Sequence, residues 1–311
     1  MLHRRIGSTV AIMVLLPLAV ACSGEAPANS SRPETSRTAA ATEASPETSP
    51  AGSDAGASDL EDINAATFSD PTTIDNRWSP NPPGWQYVYE GFTLEDGERF
   101  DHRLVITVTD LVKDIAGVLS VVVVETDYSD DVLVESELAF FAQDDEGNVW
   151  HLGEYRETYD ETEFVGGRMF FEGHPAGARA GIMVPGEPEV GTSFSQGYAP
   201  PPFNWTDEGR VYQVDQSTTI GLGTYEDVVV IEEFNDEEPG AFQLKYYAPD
   251  IGVVFIGWRG DDPNHEEMEL VEFAELDPDA LEQARSDALE LEARAYIYAD
   301  TEPVEQRRLD E

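Results

Sequence analysis

The chain has 311 residues, with 18 Lys and Arg against 63 Asp and Glu, a net charge of −45 and a single cysteine. That charge repels nucleic acid and anionic lipid head groups, which excludes both as direct partners. A lone cysteine excludes an internal disulfide, so a domain exposed to oxidising surroundings must be held by its own core.

The N-terminus carries Arg4 and Arg5, an apolar run from Val10 to Val20, and the small residues of Ala19-Val20-Ala21 before Cys22. This is the layout of a cleaved secretory signal. A transmembrane helix needs roughly 18 or more apolar residues; the run is shorter and contains Pro17. A cysteine directly after the small residues resembles the lipobox of bacterial lipoproteins, with Ala19 where leucine is commonest. In that family the thiol carries a diacylglycerol, and more than one acyl chain anchors stably. The resemblance implies a signal peptide over 1–21, lipid attachment at Cys22, and a location on the cell membrane facing the extracytoplasmic side. The mature chain then keeps 16 basic residues against 63 acidic ones, a net charge of −47. Adaptation to high salt and a dedicated cation site both fit such acidity; its spread along the chain favours the first.

Residues 22–60 are Ser, Thr, Ala, Pro, Glu and Gly with almost no aliphatic side chain. Such a stretch buries too little apolar surface to order itself, so it reads as a tether. Residues 61–275 read as one β-rich domain. Trp85–Tyr89 alternates, Asp96-Gly97 is a hairpin signal, and Arg103–Val108 follows. Val118–Thr126, Val132–Gln143 and Val149–Leu152 continue the series, with a turn at Asp145–Asn148. Later runs are Met169–Phe171, Thr192–Tyr198, Arg210–Thr219, Tyr225–Phe234, Phe242–Tyr247, Val253–Trp258 and Glu267–Phe273. The expectation is about ten strands without interleaved helices, hence no βαβ architecture. The fold class expected is mainly β: a single curved antiparallel meander sheet, a half-barrel, β-roll or barrel-like form, with one C-terminal α-helix. Residues 276–311 supply that helix and a frayed tail. Asp277 suits the N-cap and Pro278 the first turn. Leu281, Ala284, Ala288, Leu291, Ala295 and Tyr298 form a narrow apolar stripe for packing on the sheet, or for a partner.

Phe68-Ser69-Asp70-Pro71-Thr72-Thr73-Ile74-Asp75-Asn76 and Pro82-Pro83-Gly84-Trp85-Gln86-Tyr87-Val88-Tyr89-Glu90-Gly91 resemble the opening of a group of uncharacterised bacterial lipoproteins and secreted proteins. Phe141–Trp150, Gly177–Gly191 and Glu238–Val254 resemble further stretches of that group. Arg77 and Asp250 depart from its pattern. The resemblance covers roughly Phe68 to Phe273 and implies a curved β-sheet domain, with no activity to carry over. On their own chemistry, the Pro-Gly pairs place turns, the paired tyrosines bury area, and Asp75-Asn76 caps an irregular entry loop.

No motif for catalysis or metal stands out. Asp144–Asn148 brings glycine too early for a calcium loop. Asp127, Asp130, Asp131 and Asp236–Glu238 read as solvated turns. His102, His151, His174 and His265 lack zinc-site spacing. There is no Gly-x-Ser-x-Gly elbow, and Gly221-Leu222-Gly223 lacks the P-loop lysine. No cofactor is expected. Between Gly166 and Trp205, Gly and Pro mingle with Met169, Phe171, His174, Met183, Phe194, Tyr198 and Trp205, which suits either a pocket rim or an ordinary long loop. The sequence therefore favours a lipid-anchored, non-enzymatic protein binding an apolar or envelope ligand. Two alternatives remain: an envelope glycan hydrolase using carboxylates, and an interaction module using the C-terminal helix. Ligand and oligomeric state stay open at this level.

Overall fold

A computed structural model describes residues 60–95, 97–201, 203–235, 239–260, 263–298 and 306–308. The stretch expected to be a signal peptide, Cys22, the stretch expected to be a tether up to residue 59, Asp96 and the run Asp236–Glu238 lie outside the described residues.

Fourteen strands follow one another almost without interruption. They are β1 (Trp85–Glu95), β2 (Glu98–Ile115), β3 (Val118–Ser129), β4 (Val132–Gln143) and β5 (Val149–Asp160). Next come β6 (Glu163–Phe171), β7 (Arg179–Val184), β8 (Ser193–Ala199), β9 (Trp205–Ile220) and β10 (Gly223–Phe234). The series ends with β11 (Ala241–Ala248), β12 (Gly252–Gly260), β13 (His265–Glu275) and, after the helix α1 (Pro278–Tyr298), β14 (Gln306–Arg308). Every pairing between neighbours is antiparallel. The order runs β1-β13-β12-β11-β10-β9-β8-β7-β5-β4-β3-β2, and β1 pairs β2 again. Twelve strands thus close into a barrel, the barrel-like form of the sheet expected from sequence. Closure removes the open edges of a meander, whose unpaired N–H and C=O groups invite aggregation. Two strands stand off the ring: β6 extends beside the second half of β5, and β14 adds to the end of β2.

The surplus over about ten strands comes partly from the Gly- and Pro-rich stretch, which holds β7. Its Gly181 marks a close approach of backbones: a Cβ there would lie 2.1 Å from the Gln196 carbonyl carbon. Read from sequence, that glycine signals a loop; in the barrel it lets β7 meet β8.

The helix begins as expected, with the Ala280 N–H donating to Asp277 Oδ1 at 2.9 Å. Its Ala288, Leu291 and Ala295 pack on the outer face of the sheet with Leu138, Phe140 and Trp150. Three ion pairs join helix to sheet: Lys113–Glu292, Arg285–Asp110 and Arg294–Glu157.

The entry segment 68–84 crosses one end of the barrel. Asn76 pins it: the side-chain Nδ2 donates to the Gly147 carbonyl at 2.8 Å, and Oδ1 accepts from the Trp78 and Ser79 N–H groups. Ile74 and Trp78 then join the inward side chains Tyr87, Val108, Val121, Val149 and Phe194 in an apolar core. The acidic turn Asp144–Asn148 is a hairpin connection. Asp144 satisfies it by accepting from the N–H groups of Glu146 and Asn148 and from the Trp150 indole.

Candidate functional site: two joined chambers in the barrel

Strand alternation decides which side chains enter the barrel. On β3 the inward set is Val121, Val123, Glu125 and Asp127; Val122 and Val124 face the helix side. On β4 the register sets Glu137 opposite Glu125 and Glu135 opposite Asp127. Two pairs of carboxyls therefore face each other across adjacent strands inside the barrel.

Bulges add further polar groups. On β5, Phe140 pairs Gly153 while Phe141 pairs His151, so Leu152 is the extra residue. The bulge turns both His151 and Glu154 inward, where they line one chamber. Gly153 has φ +144°, and a Cβ there would lie 2.3 Å from the Phe170 carbonyl oxygen. On β8 the shift between Ser195 and Gly197 aims Gln196 inward in the same way.

The interior divides along the barrel axis. Towards the entry segment lies an apolar chamber of about 110 Å³. Tyr87, Tyr89, Ile106, Tyr247 and Ile256 form its wall, and the partly exposed Ser79–Asn81 and Ile251 its rim. Beyond it lies a chamber of about 50 Å³ lined by Glu125, Glu137, Glu154, Asp207 and Glu233 with His151, Trp205 and Lys245. Glu125, Phe141, Met183 and Lys245 border both, so the two adjoin.

Deeper still, His102 sits between Asp127 (2.8 Å to Nε2) and Glu266 (3.1 Å to Nδ1). Burial works against its charge, but the hydrogen bonds to the two carboxylates prevail and hold it up to about 10. Asp127, read from sequence as a solvated turn residue, is only 4% exposed and belongs to this buried network. Turn signals around Asp130 and Asp131 are real, but β3 carries Asp127 inside first.

Eight carboxyls thus share the interior: Glu125, Asp127, Glu135, Glu137, Glu154, Asp207, Glu233 and Glu266. Four cations answer them: His102, Arg156, Arg168 and Lys245. Lys245 is committed to Glu233 at 2.7 Å, and Gln196 donates to the same carboxylate at 2.9 Å. Arg156 lies 3.5 Å from Glu135 and 3.9 Å from Glu154. Protons relieve the excess of acid. Burial pushes Glu125 up to about 7, against the pull of Lys245, and Glu135 up to about 8, against Arg156. Burial and then the repulsion of Glu154 raise Glu137 well above the carboxylate range. Asp207 is raised likewise, by burial and then Glu233. Burial lowers His151, keeping its ring neutral.

Of the seven rim residues named from sequence, Met183 and Trp205 line the acidic chamber. Phe194 sits in the apolar core inside the barrel. Met169 and Phe171 lie in the core beneath the helix. His174 stacks on Phe171 in the β6–β7 turn, and Tyr198 pairs Arg179 on β8. The seven are therefore shared among the interior, the helix face and a turn. The inward acids were the missed group. Their signal was charge at alternate positions, Glu125-x-Asp127, Glu135-x-Glu137 and Glu154-x-Arg156, on strands whose other face is apolar. No group of three or more His, Asp or Glu among the described residues has the geometry to hold a metal ion.

No protein-family model matches the chain, and no curated protein does. Two solved structures are similar at low level. One is a protein from Bacteroides fragilis described as exported, with a YmcC-like fold: TM-score 0.35, 13% identity, 64% of this chain and 99% of that one covered. The other, from Parabacteroides distasonis, is described as a lipoprotein: TM-score 0.30, 11% identity, with the same coverage. At these values neither assigns an activity.

Proposed function

We propose that the chain is an extracytoplasmic lipoprotein, anchored through Cys22, whose barrel is a non-enzymatic receptor for a small molecule. The observation that carries the reading is the hollow interior: an aromatic chamber of about 110 Å³ with a rim at the entry segment, opening inward onto carboxyls. Its size sets the ligand. Pockets for drug-sized ligands run to roughly 300–1,000 Å³, and a dry cavity of about 150 Å³ accepts benzene. A body of about four or five heavy atoms therefore fits, and a long acyl chain does not.

The opposed Glu125 and Glu137 invite the hydrolase alternative. A glycan strand needs an open cleft with room for a sugar ring and water between the carboxyls. This pair faces a chamber of only about 50 Å³, too small for a sugar ring, which favours binding.

Two measurements test the reading. Cys22→Ala is expected to move the protein from the membrane to the soluble fraction and to abolish labelling by radioactive palmitate; retention with label contradicts the anchor. Titration of the purified chain with 1-butanol, followed by tyrosine fluorescence and thermal shift, is expected to saturate at one site. Absence of any response up to the solubility of the alcohol contradicts the receptor.

A further inference from the structure

One buried carboxylate oxygen in the acidic chamber is left without a donor. Glu154 is 4% exposed, lines the chamber, and its Oε1 has no hydrogen-bond partner. The nearest nitrogens, Arg156 Nε at 3.9 Å and His151 Nε2 at 4.0 Å, are too far to donate. Glu125, Glu137 and Asp207 face the same space, and burial is the largest influence on each. Glu233, by contrast, is satisfied by Lys245 and Gln196. A buried carboxylate without a donor is costly unless something completes it. The wall beside these acids is aromatic: Trp205 and Phe141 border the acidic chamber, and Tyr87, Tyr89 and Tyr247 the apolar one.

We infer that the two chambers together form a site for a primary alkylammonium ion, its short apolar body among the tyrosines and its NH₃⁺ group among Glu125, Glu137 and Glu154. The inference rests on the receptor reading and names the ligand's chemistry. Three features select this class. The unmet Glu154 oxygen calls for an N–H donor, which an ammonium supplies and a quaternary ion lacks. Aromatic faces add attraction for the cation. The absence among the described residues of a metal-holding group disfavours a divalent ion.

The test is isothermal titration of the full chain with n-butylammonium chloride, 1-butanol, tetramethylammonium chloride and calcium chloride. Butylammonium is expected to bind one-to-one and about tenfold or more tighter than butanol, because a charged hydrogen bond lost in a buried site is worth a decade or more. Glu154→Gln and Glu125→Gln are expected to erase that preference. The comparison of the two ligands on the unaltered chain needs no variant to fold. Butanol binding as tightly as butylammonium overturns the inference and leaves the receptor standing. Tetramethylammonium or calcium binding tighter than butylammonium, or both variants keeping the full preference, also overturns it. No binding by butylammonium or butanol overturns the receptor as well.

Discussion

Replacing Glu125 by Gln is expected to change how stability depends on pH. In the folded chain Glu125 faces Glu137 across β3 and β4 and borders both chambers. Burial lifts its carboxyl from 4.5 to about 7. A group raised on folding binds its proton more tightly in the native state. Its contribution is therefore full below about pH 4.5, declines as pH rises towards about 7, and stays lost above that. At about 1.4 kcal/mol for each pH interval of one, the loss comes to about 3 kcal/mol. Gln is a neutral isostere of the protonated acid and does not titrate. Urea denaturation of both proteins between about pH 4 and 9 is expected to give equal stabilities at the acid end. At the alkaline end the variant should be more stable by about 3 kcal/mol. A difference that stays constant with pH, or that favours the unaltered chain at pH 9, refutes the burial of Glu125 in an acid-rich interior.

Four further outcomes are expected. Glu292→Ala removes the carboxylate paired with Lys113, which is fully buried between sheet and helix, and should cost about 3–5 kcal/mol by urea denaturation; Lys113→Met with Glu292→Leu should restore most of it. Gly153→Ala forces a Cβ to within 2.3 Å of the Phe170 carbonyl oxygen and should lower the Tm by about 10 °C or more, or abolish soluble expression. Asn76→Ala frees the entry segment from the Gly147 carbonyl and should cost about 2 kcal/mol while speeding ligand entry in stopped-flow fluorescence. Truncation before Asp277 uncovers Leu138, Phe140 and Trp150 and should raise binding of a hydrophobic dye several-fold.

Much of this molecule is legible in its residues, and the illegible part has a common cause. The valine-rich run Val118–Thr126 locates a strand because β-branched side chains suit a pleated, buried surface. Asp277-Pro278 marks the helix start because its capping chemistry is local. The hairpin at Asp144–Asn148 follows from the reach of one Asp side chain. Closure of the ring through β1 and β13, however, depends on a pairing between strands about 180 residues apart, which no local signal carries. The acidic chamber was hidden for a related reason. In a chain with 63 acids, inward Glu125 and Glu137 look like the many solvated ones. Only the ring's handed alternation, with Leu138 and Phe140 outside beneath the helix, turns them inward. The bulge at Leu152-Gly153 defeats strict alternation in the same way, since it brings His151 and Glu154 to one side.

The hollow interior is tested most directly by a crystal structure of the chain under xenon pressure. Xenon density is expected between Tyr87, Ile106, Tyr247 and Ile256, with no movement of the barrel strands. Side chains filling that space, with no xenon inside the ring, contradict a ligand-receiving barrel.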